Sequence, residues 1–360
     1  MTTEQKRTLS SARQDQYALH KNKVKTLKNL QSDQGKLRVF STQLTSLIDT
    51  IPDANLFKDR EGRKLITNKL TQRLFKRHDL DWYGKTHIMP RLTSQEIRAH
   101  ARMLLESDLD IALAKRQFKL HYQVQVDGAG QIVGAEALLR WEHPRYGLIA
   151  PEQFIPVAEQ SGLILPIGAW VLQSVCEQLK QWLNDPLKKD VPIAVNISPR
   201  QFSHPEFVEQ LSRMLEENAI DATRLKLELT ESLMLHDISN TIEKMKALQL
   251  LGIRFSMDNF GRGYSSLSQL RVLPIDQLKI DQFLIRDIVP DSCDAMLVKT
   301  VIDMSRKLGI GVIAEGVETE QQFTCLKQLG CSAYQGYLFG KPMPVNEFEK
   351  LASRLGIRTK

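Results

Sequence analysis

The chain has 360 residues, enough for one large domain of about 250 residues and a smaller element. Hydrophobic residues make up 42% of it and charged residues 25%, as in an ordinary globular protein, and no apolar run reaches the roughly 18 residues of a membrane span. The start, Met-Thr-Thr-Glu-Gln-Lys-Arg, lacks the apolar core of a signal peptide, so we expect a cytoplasmic protein and no membrane contact.

The net charge of +7 is unevenly distributed, because residues 1–103 carry +11 and the remainder carries −4. A basic segment of this kind could contact nucleic acid or an anionic membrane surface. Aromatic residues are not interleaved with the charges, which favours a solvated signalling helix, and we predict no binding to a nucleic-acid polymer. The cysteines lack paired CxxC spacing and lie in or beside helical apolar patterns, which indicates buried free thiols. They are Cys176, Cys293, Cys325 and Cys331.

Three segments precede the large domain. Residues 1–43 are polar and Lys-rich and indicate a basic helical lead-in or linker. Residues 44–90 contain two short apolar runs around Asp59-Arg-Glu-Gly62, which predicts a β-hairpin. This segment resembles the front half of a PAS sensor domain, including the Asn68 that opens the next helix, and is too short for a whole one. Residues 91–117 begin with a Thr/Ser-x-x-Glu-like cap and predict a connecting helix.

Strands and helices alternate over residues 118–356. Amphipathic helices are predicted at residues 205–219, 239–251, 294–308 and 318–329, and three of them end at Gly252, Gly309 and Gly330. The alternation contains no GxGxxG turn, so a (β/α) barrel is favoured over a dinucleotide-binding sheet. The predicted fold class is therefore α/β, with one barrel domain.

Polar residues recur in or at the ends of the short apolar runs of this domain. They are Glu136, Asn196, Glu228, Asp258, Lys279, Glu315 and Gln335. Barrel enzymes collect their active sites at the carboxyl ends of successive strands, so we expect these side chains to meet. Carboxylates and a carboxamide without His or Cys form an all-oxygen site suited to Mg²⁺ or Mn²⁺, and paired ions serve phosphodiester hydrolysis. A lysine among acids can orient water or neutralise charge on phosphate.

The motifs together resemble the EAL domain family of cyclic di-GMP phosphodiesterases, over about residues 100–355. They are Glu136-Ala-Leu138, Val195-Asn-Ile-Ser198, Glu228-Leu-Thr-Glu-Ser232, Lys279-Ile-Asp281, Glu315-Gly-Val-Glu318 and Gln335-Gly-Tyr337. The resemblance implies a TIM-like (β/α)8 barrel with one antiparallel strand. It also implies a homodimer formed through the loop and helix after Asp258.

The resemblance further implies a role for each matched residue. The ligands of a first metal ion, the last of which bridges to a second ion, would be Glu136, Asn196, Glu228 and Asp258. Besides Glu136, the residues that handle the attacking water and the second metal would be Lys279 and Glu315. The substrate contacts would be Gln123, Arg140 and Gln335. Glu231 would hold the loop after the Asp258 strand.

The chain departs from the family pattern at three positions. Asn259 stands where the family has a second aspartate, which removes a negative charge and weakens the second metal site, although an amide oxygen can still bind a metal. Arg262 replaces a Thr and adds a positive charge to the same loop, which is predicted to lead into a Ser-capped helix. Val124 stands where a Pro usually follows Gln123.

We therefore predict a phosphodiesterase that hydrolyses cyclic di-GMP to linear pGpG with two Mg²⁺ or Mn²⁺ ions and that Ca²⁺ inhibits. The alternative is a catalytically weakened EAL domain that acts as a cyclic di-GMP receptor or protein-interaction module. Asn259 and Arg262 favour this alternative, whereas the retention of Glu136, Lys279 and Glu315 disfavours it. A barrel that acts on an unrelated phosphoester is the third alternative.

Overall fold

The computed structural model describes residues 56–58, 64–67, 105–231, 233, 237–261 and 270–357. The chain divides into two units, Met1–Leu104 and Leu105–Lys360. In the first unit, β1 (Leu56–Lys58) pairs antiparallel with β2 (Lys64–Thr67), which confirms the two strands of the predicted hairpin. The predicted turn at 59–62, the lead-in and the other features of the PAS-like segment lie outside the described residues.

A closed eight-stranded barrel with one additional strand forms the second unit. The strands are β3 (Phe118–Asp127), β4 (Ile132–His143), β5 (Gly147–Ile149), β6 (Ile193–Asn196), β7 (Leu225–Thr230), β8 (Arg254–Phe260), β9 (Gln277–Ile280), β10 (Gly311–Ala314) and β11 (Ala333–Tyr334). The order around the barrel is β3-β11-β10-β9-β8-β7-β6-β4, and pairing of β3 with β4 closes the ring. Strand β3 is antiparallel to both of its neighbours. All other neighbouring strands of the ring pair in parallel, in the order β4, β6, β7, β8, β9, β10 and β11. The predicted TIM-like barrel with one antiparallel strand is thereby confirmed, and β5 adds to β4 outside the ring.

Helices follow the strands along the chain. They are α1 (Pro151–Ser161), α2 (Ile164–Trp182), α3 (Pro199–Ser203), α4 (Phe207–Asn218), α5 (Ile238–Leu250), α6 (Gln282–Ile285), α7 (Cys293–Leu308), α8 (Glu320–Gln328) and α9 (Val345–Leu355). The four predicted helices are α4, α5, α7 and α8, and their ends agree with the prediction to within two residues. The three glycines predicted to end helices adopt the left-handed conformation, with φ of 104°, 74° and 88° at Gly252, Gly309 and Gly330.

Strand β7 shows how the barrel separates apolar from polar side chains. Leu225, Leu227 and Leu229 are fully buried in the main hydrophobic core, which also contains apolar side chains of the surrounding helices. Successive side chains of a strand point to opposite faces, so Glu228 points into the barrel. Val124 of β3 is also fully buried and pairs with Ala135, so the strand continues through the position where the family has Pro.

A smaller core lies beside the barrel, where a helical stretch at 105–112 packs near the start of the second unit. Its centre is the fully buried Trp141 of β4, whose ring centroid lies 5.9 Å from that of Phe118 and 5.5 Å from that of Phe154. The indole Nε1 donates a hydrogen bond of 2.9 Å to Gln117 Oε1. Packing around Trp141 fixes the end of β4, which also carries Arg140.

The four cysteines are free, as predicted, but one of the four is exposed where burial was expected. Cys176, Cys325 and Cys331 are buried, whereas Cys293 is exposed. The expectation of burial was wrong for Cys293 because this residue is the first of α7, immediately after the Ser292 side chain that caps the helix at the Ala295 amide. Among the helices in the described ranges, none has the length and apolar character required to cross a membrane.

Candidate active site

The polar residues predicted from the strand ends meet at the carboxyl end of the barrel. The register places Asn196 of β6 beside Glu228 of β7, and Gln123 of β3 beside Glu136 of β4. Two further residues follow their strands directly and are held by backbone hydrogen bonds. The Glu315 amide donates to Ile280 O at 3.1 Å, and the Gln335 amide donates to Ala314 O at 2.9 Å.

Lys279 of β9 lies at the centre of a group of carboxylates that we call the acidic cluster. Its Nζ is 2.5 Å from Glu228 Oε2, 2.8 Å from Glu315 Oε1, 3.3 Å from Glu136 Oε2 and 3.4 Å from Asp258 Oδ1. Lys279 and Glu228 are each only 1% exposed, so water screens these charges poorly. Four carboxylates around one ammonium leave a formal charge of −3 when all are ionised.

This excess negative charge shifts the pKa values of the cluster. Burial, reinforced by repulsion from Glu136, raises the pKa of Glu228 well above its usual range. Burial likewise raises the pKa of Glu315 to about 7. Burial would lower the pKa of Lys279, but the surrounding carboxylates outweigh it and raise that pKa well above its usual range. The cluster therefore gains stability from any additional positive charge, whether a proton or a cation.

Glu136 differs from Glu228 and Glu315 because two neutral amides bind it and its pKa is lowered. Burial alone would raise its pKa, but attraction to Lys279 and hydrogen bonds from Gln335 and Asn196 outweigh burial and lower it. Asn196 Nδ2 donates to Glu136 Oε1 at 2.6 Å, and Gln335 Nε2 donates to Glu136 Oε2 at 2.6 Å. Glu136 thus stays ionised in a site where its neighbours favour protonation.

Three glutamines, which we call the amide cluster, lie behind Glu136: Gln123, Gln125 and Gln335. Gln335 Nε2 also donates to Gln123 Oε1 at 3.0 Å, and Gln125 Nε2 donates to Gln335 Oε1 at 3.0 Å. All three are 7% exposed or less. Gln125 was not predicted as a site residue. The available signal was its spacing of two from Gln123, which places both side chains on one face of β3.

Comparison with known proteins decides the family. A family model described as the EAL domain matches residues 106–342, well over half of the chain. The chain belongs to the EAL domain family. Its EAL domain is similar to the bifunctional diguanylate cyclase/cyclic di-GMP phosphodiesterase MucR of Pseudomonas aeruginosa, with 43% identity over 256 residues, and to the cyclic di-GMP phosphodiesterase PdeR of Escherichia coli, with 37% identity over 257 residues. Each match covers 71% of this chain but only 37% and 39% of the respective relative.

Solved structures lead to the same family. The PaMucR phosphodiesterase in complex with c-di-GMP is 43% identical, with a TM-score of 0.66, and the match covers 68% of this chain and 99% of that one. The EAL enzyme Bd1971, in its cAMP- and cyclic-di-GMP-bound form, is 33% identical with a TM-score of 0.67, and the match covers 78% of this chain and 74% of that one. The similarity of fold therefore extends across the whole EAL domain.

The departure at Asn259 has a defined geometry in this EAL domain. Asn259 adopts a left-handed φ of 57°, which Asn and Asp tolerate better than most residues. Its Nδ2 donates to Asp258 Oδ2 at 2.9 Å, so the amide neutralises part of the Asp258 charge where a second aspartate would repel it. Arg262 and the predicted Ser-capped helix lie outside the described residues. Glu231 is buried directly after β7, and the loop that it is predicted to hold also lies outside them.

Arg140 lies on β4 outside the acidic cluster. Its Nη1 donates to Leu139 O at 2.8 Å, and its guanidinium is half-buried. Burial lowers the pKa of Arg140, while the nearby Glu152 of α1 and Tyr337 act in the opposite direction. Glu152 and Tyr337 were not predicted as neighbours, because no sequence spacing relates α1 or the segment after β11 to this position. Arg140 at the rim thus interacts electrostatically with groups from two other parts of the domain.

The donor set fits divalent cations in chemistry and charge. Glu228 Oε1 is buried and has no hydrogen-bond partner among the described residues, and the cluster around it has a formal charge of −3 when all four acids are ionised. Within the described ranges, no group of three or more His, Cys, Asp or Glu side chains is arranged as a ready-made metal site. The Lys279 ammonium lies between the carboxylates and takes the place of such a cation. The residues that would hold metal ions are Glu136, Asn196, Glu228 and Asp258, with Asn259 as a further predicted ligand through its amide oxygen.

Proposed function

We propose that this EAL domain hydrolyses cyclic di-GMP to linear pGpG with two Mg²⁺ or Mn²⁺ ions. The observation that carries the proposal is the acidic cluster, which collects four carboxylates around Lys279 at the carboxyl end of the barrel. The relatives named cyclic di-GMP phosphodiesterases and the c-di-GMP complex of PaMucR support the choice of substrate. The proposal concerns this domain, since the chain spans well under half the length of those curated relatives.

The side chains of the cluster have distinct tasks in this proposal. Bound cations acidify a water and stabilise charge on the attacking and leaving oxygens of a phosphodiester. Lys279 holds that water by a charge-assisted hydrogen bond and offsets the negative charge that builds up on phosphate. Glu315 is the most exposed of the four acids, with 20% of its side chain accessible, and accepts the proton of the water. Glu136 remains ionised throughout, because its partners lower its pKa.

The substrate is positioned by the residues around the cluster. Arg140 at the rim offers a planar fork of donors, which suits phosphate oxygens and the O6 and N7 atoms of guanine. Gln123 and Gln335 form the wall beside Glu136 and are linked to each other by the hydrogen bond of 3.0 Å. We propose that this wall borders the dinucleotide near the scissile phosphate.

Product formation from cyclic di-GMP tests the proposal. The purified chain is incubated with Mg²⁺ or Mn²⁺, and linear pGpG is quantified by chromatography. We expect turnover that Glu136→Ala abolishes and that Glu142→Ala leaves unchanged, because Glu142 is an exposed acid on the same strand. Equal activity of the two variants would contradict the proposal. A generic phosphodiester assayed in parallel tests the unrelated-phosphoester alternative.

A second candidate function is that of a cyclic di-GMP receptor, and the Asn259 geometry favours it. The amide of Asn259 donates to Asp258 instead of supplying a second carboxylate. Ca²⁺ prefers more ligands and longer distances than Mg²⁺, so we expect it to support binding and to inhibit hydrolysis. Tight binding of cyclic di-GMP in Ca²⁺, without product in Mg²⁺ or Mn²⁺, would identify a receptor.

We also propose that the segments at 1–43, 44–90 and 91–117 link a signal to the domain at 118–356.

We further propose that the chain forms a homodimer through the region after Asp258. Exposed apolar side chains on α6 and α7 support the dimer: Phe283, Met296 and Leu297 are 63%, 68% and 48% exposed. Light scattering on the wild type and on Phe283→Asp/Met296→Lys tests the dimer. A dimer that the double substitution leaves intact would exclude this surface.

A further inference from the structure

The three glutamines of the amide cluster form one directional chain of hydrogen bonds. Gln125 donates to Gln335, Gln335 donates to Gln123 and to Glu136, and Gln123 Nε2 donates to Gly340 O at 3.0 Å. The side chains are 2%, 4% and 7% exposed at Gln125, Gln335 and Gln123, so water does not replace these bonds. Each link therefore depends on which end of each amide faces its neighbour.

The chain begins at the Gln125 donor and ends on two groups that accept hydrogen bonds and cannot donate them. The ionised carboxylate of Glu136 and the carbonyl of Gly340 are acceptors, so Gln335 and Gln123 must turn their NH₂ groups toward them. The Oε1 atom of Gln335 then points away from Glu136. The NH₂ group of Gln125 is the donor that it meets, at 3.0 Å. The orientation of the Gln335 amide is thus coupled to Gln125.

The backbone opposite Gln125 is shaped to leave room for this side chain. Gly134 of β4 is the cross-strand partner of Gln125, and a Cβ atom at Gly134 would lie 2.9 Å from Gln125 Oε1. Real Cβ atoms essentially never come this close to another atom, so a larger residue at 134 would require the Gln125 amide, the flexible end of its side chain, to shift. The absence of a Cβ at Gly134 keeps Gln125 in reach of Gln335.

We propose that Gln125 is a positioning residue of the active site, which orients the Gln335 amide so that its NH₂ group holds Glu136 in place. This inference rests on the proposed function and assigns a role to Gln125, to which the proposed function gives none. Gln125 contacts neither the acidic cluster nor the rim residue Arg140 in the hydrogen bonds of the structure. It acts through Gln335 on Oε2 of Glu136, the same oxygen that lies 3.3 Å from Lys279 Nζ.

Loss of the Gln125 donor leaves the Gln335 amide without a fully satisfied orientation. In the present orientation its buried Oε1 has no donor, which is unfavourable and weakens the hold on the Gln335 side chain. Rotation turns Oε1 toward Glu136 Oε2 and Gln123 Oε1, where acceptor meets acceptor. Glu136 then loses one of its two amide donors and its fixed position beside Lys279.

Three substitutions of similar length separate donation from space filling. Gln125→Lys keeps a donor toward Gln335, Gln125→Met has none, and Gln125→Glu presents only acceptors when ionised. We measure kcat and KM with cyclic di-GMP, and Mn²⁺ affinity from the electron paramagnetic resonance signal of free Mn²⁺. Partners of metal ligands typically contribute about 10- to 100-fold to metal affinity or activity. We therefore expect losses of about that size in kcat and Mn²⁺ affinity for Met, larger losses for Glu, and near wild-type values for Lys, with KM little changed.

A space-filling role predicts a different order, in which Met is tolerated best and Lys least. Wild-type kcat and Mn²⁺ affinity in Gln125→Met, or equal impairment of Lys and Met, would overturn the proposal. The Mn²⁺ signal also separates this inference from the proposed function. Wild-type protein that binds Mn²⁺ but forms no product would refute hydrolysis, while the order of Mn²⁺ affinities among the variants would still decide the role of Gln125.

Gly134→Ala provides a second test that leaves Gln125 itself unchanged. The added methyl group displaces the Gln125 side chain, so we expect weaker Mn²⁺ binding and lower kcat. In the Gln125→Met background the same substitution should cause little further loss, because the coupled pair acts as one unit. Losses that multiply independently in the double variant would show that Gly134 acts by another route and would contradict the proposal. This test remains available if a Gln125 variant fails to fold.

Discussion

Glu136 has two contrasting sides in the barrel. On one side lies the acidic cluster, in which the Lys279 ammonium lies within 3.4 Å of four carboxylates. On the other side lies the amide cluster, in which neutral donors and acceptors are matched from Gln125 to Gly340. The amide side is satisfied by the protein alone, whereas the acidic side keeps an excess of negative charge when its acids are ionised and a Glu228 oxygen that has no hydrogen-bond partner among the described residues.

This contrast separates the part of the site that provides rigidity from the part that provides chemistry. Neutral amides can be buried at little cost once every group has a partner. Buried carboxylates raise one another's pKa values and create a strong preference for cations. A cation site built from mutually repelling carboxylates is therefore stabilised by neighbouring amides whose positions are fixed by hydrogen bonds.

Removal of Lys279 should have the largest effect on the acidic cluster. Lys279→Met leaves four carboxylates without their cation, and losing one partner of a buried charge pair costs about 3 to 5 kcal/mol. We expect a loss of that order in the free energy of unfolding, measured by urea denaturation in EDTA. Lys307→Met, at an exposed site on α7, should change it little. A Lys279→Met protein as stable as the control would show that Lys279 does not stabilise the four carboxylates.

Metal removal is expected to have the next largest effect. Ions that bind only the folded protein stabilise it by about 2.7 kcal/mol when their free concentration is a hundred times Kd. We expect Mg²⁺ or Mn²⁺ to raise the melting temperature of protein previously treated with EDTA. Glu228→Gln should show a smaller rise, because it removes one charge from the cluster. An identical rise in both proteins would place the stabilising metal elsewhere.

The stability of the metal-free protein should depend on pH through Glu315. Burial raises the pKa of Glu315 to about 7 from a usual value of 4.5, so the folded protein binds this proton more tightly than the unfolded chain. The stabilising contribution of this proton is complete below about pH 4.5 and is lost as the pH rises through about 7. Solvent screens the charge, so the contribution is at most about 1.4 kcal/mol for each pH unit between the two pKa values. Melting curves in EDTA from pH 4.5 to 8 should show this fall, and Glu315→Gln should reduce it relative to Glu320→Gln. Parallel profiles for the two variants would rule out this assignment.

Restoring the family residue at position 259 should have the smallest effect. Asn259→Asp replaces a donor to Asp258 by a second carboxylate, in a backbone conformation that Asp also tolerates. We expect a loss of about 1 kcal/mol or less in EDTA, since both side chains reach solvent. In Mn²⁺ we expect a gain in turnover and a lower Mn²⁺ requirement. An unchanged rate at every Mn²⁺ concentration would mean that Asn259 does not limit the enzyme.

The sequence predicts the barrel and the acidic cluster well, because both follow from local patterns. Alternation of strands and helices indicates the barrel, and a polar residue at the end of each apolar run indicates where the strands converge. The positions of Lys279 and Glu315 are therefore predictable without a structure. The predicted amphipathic helices are also found, since periodicity and helix-ending glycines such as Gly309 are visible in the chain.

The amide cluster and the rim could not be predicted in the same way. Gln125 contributes through a hydrogen bond to Gln335, 210 residues later in the chain, and no spacing reveals such a pair. The closeness of Gly134 to Gln125 depends on the antiparallel register of β3 and β4. Similarly, Glu152 comes near Arg140 only because α1 packs beside β4. The hydrogen-bonding partners of a buried amide are a property of the closed barrel.

Calorimetric titration of Mn²⁺ into the metal-stripped chain tests the central claim most directly. We predict two bound Mn²⁺ ions per chain in the wild type, and fewer ions or a clearly weaker affinity in Glu228→Gln, with circular dichroism confirming that both proteins are folded. A wild-type protein that binds no Mn²⁺, or a Glu228→Gln protein that titrates identically to it, would contradict the claim that the acidic cluster is a cation site.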